Sequence, residues 1–255
     1  MLLPSGAAST APVDEAEPRL IGRTGVPFRR VASRVCSAPM PLRALLTWCT
    51  VFGAAFGVVE AAVVVYLRAL VCPEGFAFPL RELPPQLLST EIVREGATLA
   101  LLLGVAMVSA RGGLRRFAVF SFCFGVWDIV YYVGLYAFLD WPASLMEWDI
   151  LFLIPRPWVA PVLAPVLVSC ALIGAAVLIL AEPDDGRGRR LRCLDWVVLA
   201  AGGVAIIGSF LVNAERVQQG GVPEGYPWWL FLVGWLGGLA WFARRWYGGA
   251  PRPRG

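Results

Sequence analysis

The chain contains no histidine and no lysine. Without imidazole there is no His-ligated haem, no His-bound zinc and no histidine proton shuttle. All 22 basic residues are arginine, a bias that GC-rich coding accounts for without any phosphate-binding role. Cysteine is sparse: Cys36, Cys49, Cys72, Cys123, Cys170 and Cys193 include no CxxC pair, which argues against a metal or dithiol redox motif. Charge is scarce as well, at 16% of residues where a soluble domain carries about a quarter. No cofactor is expected from this inventory. Nor is a nucleic-acid partner, because the net charge of +4 comes from arginines in loops and tails.

What the chain has is apolar surface. Hydrophobic residues make up 58% of it and the mean hydropathy is +0.67. They gather in six runs, at about 44–68, 91–110, 117–139, 158–180, 195–213 and 227–243. Most reach the ~20 residues a helix needs to cross ~30 Å of hydrocarbon. The expected fold is therefore all-α: a six-helix transmembrane domain over 42–247, with lipid as its main partner. Residues 1–41 read as a disordered cytoplasmic tail rich in Pro, Ala, Ser and Arg, with Met40 as an alternative start of translation. Residues 248–255 read as a second cytoplasmic tail.

Arginine clusters set the expected orientation. They occur at 29–43, 111–116, 187–192 and 244–254, and alternate with loops poor in arginine. The positive-inside rule then puts both termini in the cytoplasm. Trp141, Trp148, Trp158, Trp228 and Trp229 are expected as an outer aromatic belt, with Trp241 and Trp246 as an inner one. Gly53 with Gly57, and Gly234 with Gly238, have the spacing of close helix packing, as do Gly96, Ala100 and Gly104.

The candidate functional residues are ionisable groups that a bilayer disfavours. Glu60 lies inside the first run and Asp128 near the middle of the third. A charge at mid-span costs roughly 2.5–3.5 kcal/mol on insertion scales, so such residues face protein or a wet cavity. Helical spacing puts Glu60 on the same face as Gly53 and Gly57. It also aligns Ser121, Gly125, Asp128, Tyr132 and Tyr136, with Tyr131 at the border. The simpler reading of Asp128 is a hydrogen bond to a neighbouring helix. In Thr90-Glu91-Ile92-Val93-Arg94-Glu95, Thr90 reads as an N-cap and Glu91 as a first-turn acid facing the helix dipole. Arg94 is the natural counter-ion for a buried carboxylate. Glu60, Asp128 and Glu95 are thus candidate acid–base groups, and Arg94, Tyr131, Tyr132 and Tyr136 candidate binding residues.

The segment 140–158 reads DWPASLMEWDILFLIPRPW. Ser144 and Glu147 have capping-box spacing, which predicts a short interfacial helix after Pro142. Ile150 to Ile154 is apolar but too short to span, and is expected to lie at the interface or re-enter the bilayer. Over 124–169 the combination WD-x2-YY, WP-x-SL-x2-WD and LIP-x-PW resembles a stretch of small bacterial multi-span inner-membrane proteins with no assigned activity. The resemblance implies a bacterial inner-membrane location and brings no catalytic residues.

Three functions are compatible with this pattern. One is an outward-opening polar pocket whose carboxylates bind or act on a lipid or small apolar molecule. Another is a non-catalytic membrane component in which the buried acids specify helix pairing. The third is a proton-coupled transporter, against which stands the lack of an inverted repeat.

Overall fold

A computed structural model describes residues 40–80, 83–182 and 191–248. The tail over 1–39, the possible start at Met40 and most of the 248–255 tail concern segments outside the described residues.

Six long helices follow the six apolar runs. Helix α1 (Leu42–Val71) starts after Pro41, which has no amide proton to leave unsatisfied. Its 30 residues extend about 45 Å. Helix α2 (Pro85–Ser109) begins at the Pro84–Pro85 pair, six residues before the run at 91. Proline is compatible with a first turn, so the helix starts earlier than hydropathy alone indicates. The Thr90 hydroxyl consequently donates to the Gln86 carbonyl inside the helix, and Thr90 is not an N-cap. Gly112, at φ 81°, makes the reversal into α3 (Gly113–Leu139).

The chain then departs from the predicted helix. Trp148–Phe152 (β1) and Trp158–Pro161 (β2) form an antiparallel hairpin, pairing Trp148 with Pro161 and Ile150 with Val159. Ser144 accepts from the Met146 amide and Glu147 from the Ala143 amide, so the capping-box residues hold a tight turn. The physical reason lies in Trp-Asp-Ile-Leu-Phe and the prolines beyond it. Aromatic and β-branched residues suit a strand, and Pro155 and Pro157 block a helix. A hairpin also pairs backbone groups that apolar surroundings would otherwise leave unsatisfied. Helix α4 (Leu163–Ala181) therefore begins five residues later than the apolar run at 158. Helix α5 (Cys193–Leu211), the short α6 (Ala214–Gln218) and α7 (Trp228–Tyr247) complete the chain.

Glycine lets the helices approach. A Cβ on Gly57 would lie 2.8 Å from the Trp127 carbonyl oxygen, and one on Gly125 2.8 Å from that of Ser169. These contacts join α1 to α3 and α3 to α4. Gly234 meets the Gly202 carbonyl in the same way, at 2.5 Å, and joins α7 to α5. Gly96 and Gly104 differ: nothing lies within 4 Å of a Cβ on either, so the small-residue face of α2 packs against no helix among the described residues. The tryptophan belts need correction too. Trp141 and Trp246 are buried inside the protein, whereas Trp229 is exposed as an anchor would be.

Five helices are long and apolar enough to cross a membrane: α1, α2, α3, α4 and α5 with its extension to Gln218. Helix α7 has the length, but its Trp, Gly and Arg content leaves it outside that set. Large apolar side chains on the helix surfaces, such as Leu70, Val93, Val108 and Val204, are exposed. Water would penalise that surface; hydrocarbon does not.

Candidate functional site

The polar side chains of α1, α2 and α3 meet near the hairpin. Glu60 lies one turn beyond Gly57, on the face of α1 that contacts α3. Arg94 reaches across from α2 and forms an ion pair with Glu60. The same guanidinium holds Glu91, three residues earlier on α2, at 2.7 Å. Glu91 is buried and sits in the second turn of α2, so it faces an arginine and not the helix dipole. Glu95, also buried, accepts the Leu153 amide with both carboxylate oxygens, at 3.0 and 2.9 Å. That amide lies just past β1, so Glu95 ties α2 to the hairpin.

Asp128 takes a different partner. The Ser169 hydroxyl of α4 donates to it at 2.8 Å, next to the close contact at Gly125. Glu60 and Asp128 therefore form no carboxyl dyad, although both line one cavity. Asp128 and Tyr131 are surrounded by protein yet not fully covered; the surface they keep faces that cavity. Tyr131 lies within the electrostatic reach of Asp149, Arg68, Asp128 and Arg94, and its hydroxyl has no hydrogen-bond partner among the described residues. Tyr132 is buried and donates to Asp149 at 3.1 Å. Tyr136 stands 59% exposed and does not line the cavity. The helical stripe that suggested it continues past the point where neighbouring elements cover α3.

Two central residues escaped the sequence reading. Arg68, near the end of α1, pairs with Asp149 of β1 at 3.6 Å. Its guanidinium lies 4.1 Å from the Phe76 ring centre and 3.9 Å from that of Trp141, a cation–π arrangement on two rings. An arginine in the last turn of a span, next to a loop poor in arginine, is the available signal. Its partner, 81 positions away, is supplied by the hairpin.

Asp149 belongs to the hairpin, outside the spanning helices. Burial pushes its carboxyl up to about 6, against the opposing pull of Arg68, the Ile150 amide and the Tyr132 hydroxyl. An unfolded aspartate titrates near 3.9, so the folded protein holds the extra proton between these values. Stability from this group is complete below about 4 and declines as pH rises through about 6. Asp149→Asn should remove that decline from a series of Tm measurements between pH 3.5 and 7. An unchanged slope in the variant would assign it to other groups.

The cavity has a volume of about 1050 Å³, just above the range of small-molecule sites, about 300–1,000 Å³. Charged groups of α1, α2, α3 and β1 occupy one part of its wall. Elsewhere the wall is apolar, with Leu172, Ala175, Leu199, Ile206, Leu239 and Phe242 from α4, α5 and α7. No family model, curated protein or solved structure matches the chain. Its class is defined by its build: a helical apolar bundle with the make-up of a multi-pass membrane protein.

Proposed function

We propose that the chain is a bacterial inner-membrane protein with six spans and both termini inside. In this reading its cavity opens outward and binds, or acts on, a lipid or small apolar molecule. The observation that carries it is the joining of a charged wall and an apolar wall in one cavity of about 1050 Å³. An isolated buried acid needs only a partner; a long apolar wall beside several acids suits a molecule with a polar end and a chain. Glu60, Asp128 and Glu95 are the acid–base candidates, and Arg94, Tyr131 and Tyr132 the binding residues. Tyr136 has no part in it, being outside the cavity.

A specific observation favours the non-catalytic alternative. Glu60–Arg94 and Asp128–Ser169 each bridge two helices, as groups that only specify pairing would. The two readings differ in what happens when the cavity is filled. Native mass spectrometry of the full chain released from lipid nanodiscs is expected to retain one amphiphile per chain. Ala171→Trp, on the α4 wall, should abolish that retention while leaving Tm within a few degrees. Retention unaffected by Ala171→Trp would sink the pocket. Asp128→Asn should leave insertion intact and abolish any turnover of the retained molecule.

A further inference from the structure

The charges on the cavity wall do not balance. Five carboxyl groups line it, from Glu60, Glu91, Glu95, Asp128 and Asp149. Only two guanidinium groups do, from Arg68 and Arg94, and both are engaged: Arg94 by Glu60 and Glu91, Arg68 by Asp149. Glu95 and Asp128 have no cation within ion-pair distance among the described residues. Among the described residues, Glu95 is held by the Leu153 and Ile154 amides, with Arg94 near enough to act on its charge, and Asp128 is held by the Ser169 hydroxyl.

Aromatic rings share the wall of the cavity with these two carboxylates. Phe124 meets Trp127 edge-on at 5.3 Å, Trp127 meets Phe152 at 6.3 Å, and Phe152 meets Trp158 at 5.4 Å. All four line the cavity. Asp128 directly follows Trp127, and Leu153, the donor to Glu95, directly follows Phe152. Ring faces attract cations, and aromatic side chains with carboxylates are the usual means of holding an organic ammonium group. A metal ion fits this site less well, because among the described residues no three acids or thiols converge as ligands. Trp127 is only 6% exposed and its indole N–H finds no acceptor; the Trp158 N–H also lacks one.

We infer that the pocket takes an amphiphile with an ammonium head group. The head sits beside Glu95, Asp128 and the Phe124–Trp127–Phe152–Trp158 rings, and the chain runs along the apolar wall of α4, α5 and α7. This rests on the pocket reading and specifies its ligand.

The test titrates the full chain, in maltoside micelles, with three probes of equal chain length: dodecyltrimethylammonium, dodecanol and dodecanoate. Occupancy is read by native mass spectrometry. The ammonium probe is expected to bind at least about tenfold more tightly than dodecanol. Glu95→Gln and Asp128→Asn should each erase most of that preference, since both amides keep the hydrogen-bond acceptor and lose the charge. Phe152→Leu, which leaves both acids in place, should weaken the ammonium probe and spare dodecanol. Equal binding of all three probes would overturn the ammonium inference and leave the pocket standing, as would a preference for dodecanoate. Binding of none of them would remove both.

Discussion

Arg94→Gln is expected to destabilise the protein by about 3 kcal/mol, near the lower end of what breaking a buried ion pair costs. Arg94 is the single cation between Glu60 and Glu91, and both acids are buried. Its side chain keeps 24% of its surface, which places the effect at the lower end. Removing it leaves two carboxyls that must either stay charged without a partner or take up protons. The loss should appear as a lower midpoint for unfolding by dodecyl sulfate in mixed micelles. Adding Glu60→Gln to Arg94→Gln should restore part of it, because the second change removes one of the orphaned charges. A single variant as stable as the parent would mean that the pair contributes nothing.

The second large effect belongs to Gly57. A Cβ there would lie 2.8 Å from the Trp127 carbonyl oxygen, 2.9 Å from Val130 Cβ and 3.0 Å from the Tyr131 amide nitrogen. Two of these are backbone atoms of α3 and cannot rotate away, so Gly57→Val must push α1 off α3. Overpacking of this kind costs about 1–3 kcal/mol. It also displaces Glu60, one turn further on, from Arg94, so amphiphile retention should fall with stability. Gly96→Ala is the matched control. Nothing lies within 4 Å of a Cβ at Gly96, so the change should stabilise α2 by up to about 1 kcal/mol through helix propensity. Equal effects at the two glycines would contradict the packing described for α1 and α3.

Much of this arrangement is local and therefore legible in the sequence. Apolar runs determine the six long helices, and glycine spacing marks the faces on which α1 and α7 pack closely without naming the helix opposite. Gly96 and Gly104 have comparable spacing without a partner helix among the described residues, because spacing reports what a face allows and not what covers it. Arg94 as counter-ion follows from its depth in α2 relative to Glu60 in α1. The N-terminus of α2 is not legible in hydropathy because its first turn, from Pro85, is less apolar than the rest. The larger omission concerns 140–162. Ser144 and Glu147 have the spacing of a helix start, but the aromatic and β-branched residues after them, closed by Pro155 and Pro157, make a hairpin. Once the hairpin forms, Asp149 meets Arg68 and Tyr132, and Leu153 meets Glu95. None of these pairings has a helical period, so no scan along one helix could reveal them.

The central claim is that the charged wall and the apolar wall belong to one occupied cavity. The most direct measurement is a cryo-electron microscopy map of the full chain in nanodiscs of native lipid, with an antibody fragment as fiducial. The account predicts one elongated density in the cavity, its head beside Asp128 and Glu95 and its tail against Leu172 and Leu239. An empty site with α2 closed onto α3, and with Glu95 turned into a helix contact, would contradict it.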